Sequence, residues 1–243
     1  MNQEMINKMS VWNIEGATLI KYTGEAKRVV VPEEVRQISS YVFTDAPNLR
    51  ELVITKNVTF LSGRAIYRCK MLETVDIESE EINMAFHTFQ DCESLKVVNF
   101  NSCKTYIPTY CFSDCKSLEE IVIPKEVSGM GDRAFSGCSS LKKMVILNPD
   151  IALGDSLFDG ASKELKIEYI GDHTKFLELS RRKFFKKTES FGDYHHRDVY
   201  EVEITHSDYP FARFNQNVKT HVYCRADGVT LVFPSGRGKA ERK

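Results

Sequence analysis

The sequence predicts an α/β solenoid, six coils of 23 residues stacked so that their strands form one parallel sheet. Three observations predict it. Phe43, Ile66, Phe89, Phe112, Phe135 and Phe158 follow one another at steps of 23 residues without exception. Leu49, Leu72, Leu95, Leu118 and Leu141 keep the same step, as do Cys69, Cys92, Cys115 and Cys138. Three further apolar columns share the register, running from Leu52 to Ile167, from Ile54 to Tyr169 and from Ile38 to Leu153. One short unit cannot bury these side chains alone, so each column must find its partners on neighbouring coils.

The chain divides into three parts on this reading. Residues 1–31 form an N-terminal cap, 32–169 the solenoid, and 170–243 a C-terminal accessory element. In the cap, Val11-Trp12-Asn13-Ile14 and Thr18-Leu19-Ile20-Lys21-Tyr22 flank Gly16, which can take the positive φ of a hairpin turn. Lys27-Arg28-Val29-Val30-Val31 is the strand that feeds the first coil. The first coil has an apolar face with no neighbour, and Trp12, the single tryptophan, is the expected cover.

In the clearest coil, Leu118 to Pro124 is a strand anchored by Leu118, Ile121 and Ile123, and Met130 reaches back into the core. Arg133-Ala134-Phe135 is expected to begin a short helical or 3₁₀ turn on the opposite side, ending near Gly137-Cys138. Gly131-Asp132-Arg133-Ala134-Phe135-Ser136-Gly137-Cys138-Ser139-Ser140-Leu141 closely resembles the BspA-like leucine-rich repeat family, whose pattern runs A-F-x-x-C-x-x-L, strand, I-P-x-x-V. The resemblance spans roughly residues 12–169. It implies a right-handed solenoid used as a protein-recognition scaffold, and better-known members are surface or secreted adhesins of bacteria and protists. The sixth copy is worn, with Ala161 in the cysteine slot and the apolar residue slipped from Glu164 to Leu165, as terminal repeats tend to be.

After residue 169 the pattern stops. Asp172 is a candidate cap for a helix over 173–187, with Phe176, Leu177, Ser180 and Phe184 on one stripe. Strands are expected at 199–204, 218–224 and 228–233, and a disordered basic tail at 235–243.

Composition excludes little. The chain is 42% apolar and 28% charged with a net charge of −1, which gives no global reason to expect nucleic acid or a membrane. Residues from 170 onward carry 14 Lys/Arg against 10 Asp/Glu, leaving 19 against 24 before them. Residues 1–10 contain no apolar run of the signal-peptide kind, and nothing approaches the roughly 18 apolar residues that span a bilayer. A cytoplasmic protein is expected, its seven cysteines reduced.

The chemistry-bearing residues point away from catalysis. The cysteine column runs in a line, whereas zinc needs four ligands converging tetrahedrally, so packing is the expected role. His173, His195, His196, His206 and His221 follow no zinc spacing, and His196-Arg197-Asp198 lacks every other part of a kinase catalytic loop. No catalytic residue, cofactor or metal is expected. Arg181, Arg182, Lys183, Lys186 and Lys187 form a basic run around Phe184 and Phe185, which can contact phosphates or close a helix C-terminus.

The open face of the sheet remains. Arg50, Glu73, Lys96, Glu119 and Lys142 alternate in sign down the stack and should form an ion ladder. Beside them, Glu51, Val53, Thr74, Asp76, Val97, Asn99, Glu120 and Val122 make a mosaic of valines and acids suited to a protein partner. The expected function is a non-enzymatic module that binds a protein through this face. One alternative is nucleic-acid binding through the basic helix and tail; another is an enzyme within 170–243 with the solenoid as targeting arm.

Overall fold

A computed structural model describes residues 11–162 and 165–169, and the backbone of three strands beyond them. The predicted hairpin is present. Strand β1 (Trp12–Glu15) pairs antiparallel with β2 (Thr18–Tyr22), and Gly16 at φ 62° makes the turn.

The predicted sheet carries one strand per coil: β3 (Arg28–Val30), β5 (Glu51–Ile54), β7 (Thr74–Ile77), β9 (Val97–Asn99), β11 (Glu120–Ile123), β13 (Lys143–Ile146) and β15 (Lys166–Tyr169). Every pairing within it is parallel and steps by one repeat, as in Arg28↔Glu51↔Thr74↔Val97 and Glu120↔Lys143↔Lys166. The strand expected to feed the first coil is thus itself the first rung. Seven rungs at about 4.8 Å span roughly 29 Å.

A second parallel ribbon lines another side: β4 (Gln37–Ile38), β6 (Phe60–Leu61), β8 (Asn83–Met84), β10 (Thr105–Ile107), β12 (Val127–Met130) and β14 (Ala152–Leu153). The hairpin joins here, since β2 pairs with β4 through Leu19↔Ile38. Both ribbons break at the same level. The first divides between β9 and β11, the second between β8 and β10, where only the bridge Glu81↔Lys104 remains. The chain after β9 explains the break: Asn101 and Ser102 take φ of 45° and 63°, and Asn is a poor strand former.

The third side keeps only single turns of the expected helical or 3₁₀ element, such as Ser136 N–H to Arg133 O at 3.1 Å. No helix occurs among the described residues between 12 and 169. Each coil instead carries two left-handed residues, in the columns Tyr41, Arg64, His87, Tyr110, Arg133, Ser156 and Asp45, Arg68, Asp91, Asp114, Gly137, Gly160. A left-handed residue ends any α-helical run. The N–H groups that a helix would satisfy internally bond the next coil: Phe43 N–H donates to Ala65 O at 3.0 Å, Phe89 to Cys111 O at 2.9 Å and Phe112 to Ala134 O at 2.8 Å. The coils are therefore laced together by backbone on this edge too.

Between the three sides lies one continuous core holding every apolar column predicted. Phe89, Phe112, Phe135 and Phe158 stack in succession at centroid distances of 5.3, 5.4 and 6.1 Å. At the N-terminal end, where Ile66 interrupts the rings, Phe43 meets Tyr22 at 5.3 Å and Trp12 at 6.5 Å. Trp12 is the cover that the first coil needs. The cysteine column is buried, and its thiols serve as small donors: Cys92 bonds Ile66 O at 3.3 Å, Cys115 bonds Phe89 O at 3.4 Å and Cys138 bonds Phe112 O at 3.1 Å.

Beyond β15, β16 (Tyr200–Thr205) adds parallel to its outer edge, followed antiparallel by β17 (Lys219–Arg225) and β18 (Gly228–Val232). These are the three strands expected there. The helix over 173–187 and the tail over 235–243 lie outside the described residues. Among the described residues no helix is long and apolar enough to cross a membrane.

Candidate protein-binding surface

In the first sheet, alternation sends Leu52, Val75, Val98, Ile121 and Met144 inward, so the residues flanking them line the outer face. The predicted ion ladder closes over most of its length. Arg50 Nη1 meets Glu73 Oε1 at 2.5 Å, Lys96 Nζ meets Glu73 Oε2 at 2.9 Å, and Lys142 Nζ meets Glu119 Oε2 at 3.7 Å. Hydrogen bonding from Lys96, then from Arg50, holds the Glu73 carboxyl below the ordinary carboxylate value. Among the described ion pairs Lys96–Glu119 is missing, and that rung falls where β9 and β11 separate. The ladder follows the hydrogen bonds beneath it.

The predicted mosaic is only partly as expected. Val97 is 43% exposed and Val122 is 50% exposed, on the two strands that face each other across the break. Asn99 and Glu120 beside them are exposed, and Thr74 is half-buried. Val53 must be withdrawn from the surface, since only 5% of it is exposed. It sits in register between Val30 and Asp76, and side chains on adjacent parallel rungs close over so small a residue. Two of the acids are engaged within the fold. Glu51 pairs with Arg28 at 3.3 Å, and Asp76 accepts a hydrogen bond from Asn99 at 2.5 Å. The alternative contact residues Arg181, Arg182, Lys183, Lys186 and Lys187 lie outside the described residues.

Sequence reasoning missed the turn edge. There His87 and Tyr110 stack at 4.9 Å and 6° between planes, and Arg133 extends the stack with its guanidinium carbon 5.6 Å from the Tyr110 ring. Phe86, 57% exposed, meets the His87 imidazole edge-on at 5.6 Å. One coil earlier, Arg64 and Arg68 lie 6.0 and 5.8 Å from the Tyr67 ring. Burial, against a Gln90 hydrogen bond, lowers the His87 pKa, and the charge of Arg64 lowers it further. The signal was present in the sequence: the slot 41, 64, 87, 110, 133 reads Tyr, Arg, His, Tyr, Arg at the repeat period.

Comparison with known proteins agrees with this geometry. The family model for the BspA type leucine rich repeat region matches six copies over residues 16–142. A solved leucine-rich repeat protein from Bacteroides ovatus is similar at 26% identity and a TM-score of 0.56, over 71% of this chain and 43% of that one. A leucine rich cell surface protein from Faecalibacterium prausnitzii shares the fold at 19% identity and a TM-score of 0.54, over 90% of this chain and 57% of that one. The chain thus spans about half the length of these two structures. No curated protein matches it.

Proposed function

The chain belongs to the BspA type leucine-rich repeat family, and from that premise we propose that it is a non-enzymatic module gripping a protein partner through the outer face of its first sheet. One observation carries the reading: Val97 and Val122 stand exposed on facing strands, at the one level where the sheet's own hydrogen bonds lapse. Two solvated valines on a backbone of fixed shape offer apolar area at little entropic cost to a partner. Asn99 and Glu120 supply a polar rim around them. The ladder from Arg50 to Lys96 sits one column away, with its charges engaged among themselves, and acts as a frame.

The experiment is capture of partners from source-cell lysate on the full chain, identification by mass spectrometry, and titration of the purified partner. V97E/V122E should weaken that partner by roughly tenfold or more, the loss of two buried apolar contacts plus two unpaired charges. The triple reversal E51K/D76K/E120K should weaken it as well. Unchanged affinity in both variants sinks the sheet-face reading, and capture abolished by nuclease would transfer the function to nucleic acid.

A further inference from the structure

The charges of the first sheet's outer face are unevenly placed. Residues 73–78, 96–101 and 119–124, its three central rungs, carry Glu73, Asp76, Glu78, Glu119 and Glu120 against the one cation Lys96. The other cations stand on the outer rungs, Lys27, Arg28 and Arg50 toward one end and Lys142, Lys143 and Lys166 toward the other. Lys125, just past the central rungs, turns to its neighbour Glu126 at 3.7 Å.

Three of the central acids keep their charge uncompensated. Lys96 is taken by Glu73 at 2.9 Å, and Lys142 by Glu119 at 3.7 Å. Glu120 is exposed; Lys143, its register partner, goes to Glu168 at 3.0 Å, and on its other side lies Val97 across the break. Asp76 accepts from the neutral amide of Asn99, and Glu78 stands exposed at the end of β7. Among the described residues no cation pairs with Asp76, Glu78 or Glu120. These acids surround the exposed Val97 and Val122.

We infer, resting on the sheet-face reading above, that the partner lays a basic extended segment on these rungs, with Lys or Arg alternating with apolar residues along one side. Opposite charge selects such a segment, and the same acids repel a phosphate backbone. The segment crosses the stack along the strand direction, since one laid along the solenoid axis would bring its cations up to those of the outer rungs. The spacing fits as well. Glu120 continues the column of Thr74 and Val97, four strand positions from the column of Glu78; Asp76 and Val122 share the column midway. Side chains two and four apart on an extended segment point the same way. A Lys-x-Phe-x-Lys segment thus sets its cations toward Glu120 and Glu78 and its ring toward Val97 and Val122. The lysine stems take up the two-rung offset between those acids, about 10 Å.

The test is fluorescence anisotropy of the full chain with a labelled peptide carrying Lys-Thr-Phe-Thr-Lys between Gly-Ser spacers, beside two peptides in which both Lys become Gln or Glu. Saturable binding of the Lys peptide is expected. The Gln peptide should bind about fivefold or more weakly and the Glu peptide more weakly still, since a few exposed ion pairs together are worth that factor. D76N/E78Q/E120Q should weaken the Lys peptide to the same degree, as should raised salt. Should the triple variant disturb folding, judged by thermal unfolding, E78Q/E120Q serves in its place. V97S/V122S should weaken all three peptides, and D91N/D114N, on the turn edge, should change none. Gln or Glu peptides that bind as tightly as the Lys peptide and are lost in V97S/V122S overturn the basic occupant while the sheet-face reading stands. Lys-peptide binding that V97S/V122S leaves intact, or that D91N/D114N weakens instead, lies elsewhere and overturns the inference. No saturation at millimolar protein overturns it too, with the sheet face still judged by lysate capture. So does a single-stranded oligonucleotide that binds where the Lys peptide does not.

Discussion

The rings of Phe89 and Phe112 lie parallel, 2° apart in plane and 5.3 Å between centroids, across the level at which both ribbons lose their ladders. Core stacking therefore continues where sheet hydrogen bonding lapses. On the turn edge the backbone bond from Phe89 N–H to Cys111 O, at 2.9 Å, spans the same level. Cohesion between the two halves rests on this ring pair and the turn edge more than on the sheets.

Phe112 also meets Phe135 at 5.4 Å and the edge of Phe100 at 6.3 Å. Phe112→Ala should cost about 3–5 kcal/mol, the usual range for emptying an aromatic site in a core. Repeat proteins are held by nearest-neighbour interfaces, so this loss should also split unfolding into two steps. Guanidinium titration followed by circular dichroism checks both, with Phe158→Ala expected to keep a single step.

Gly137 occupies the slot that Asp114 fills one coil earlier, at φ 71°, and a Cβ placed there would fall 2.2 Å from Asp114 Oδ1. Gly137→Ala should therefore cost about 1–2 kcal/mol from the backbone alone and more from the contact. Ser139→Ala, on an exposed residue two positions on, should stay within about 0.5 kcal/mol. Thermal melts of the two variants compare them directly.

Burial lifts the thiol of Cys103 to about 11 and that of Cys138 to about 12, and raises Cys92, Cys111 and Cys115 well above the ordinary value. The thiolate is the reactive form, so none of these five should take up iodoacetamide at pH 8 while the chain is folded. In guanidinium all should react. Mass spectrometry after timed labelling, with and without guanidinium, reads the difference at each site.

Lys96 and Arg50 hold Glu73 below its ordinary value of 4.5. A carboxyl depressed by folding contributes stability that is present above its unfolded pKa and lost as pH falls through the folded one. Relative to Glu73→Gln, the unaltered chain should thus be favoured at pH 7, and the difference should fade as pH drops below about 4.5. The three side chains are at least partly exposed, so raised salt should shrink the difference at every pH. Denaturant titrations of both chains at several pH values and two ionic strengths measure it.

The columns of Phe43, Leu49, Leu52 and Ile54 announced rung order, strand register and core membership, because a fixed period leaves each side chain only its own repeats as neighbours. The ladder Arg50–Glu73–Lys96 was legible for the same reason. Of the helical or 3₁₀ turn expected at Arg133 only a single turn is present, Ser136 N–H donating to Arg133 O at 3.1 Å, and it does not extend into a helix because Arg133 itself and Gly137 are left-handed. That conformation is imposed by bonds to the next coil.

What the sequence determined by itself is the stack: its period, its core columns and the cap that Trp12 places over Phe43. Only the tertiary structure decided the surface. It covered Val53, bared Val97 and Val122 at a break in the sheet, and laid Arg133 on Tyr110 and Tyr110 on His87. The division has a physical cause. Burial of apolar columns is set by spacing along the chain, whereas exposure and stacking depend on how neighbouring coils meet.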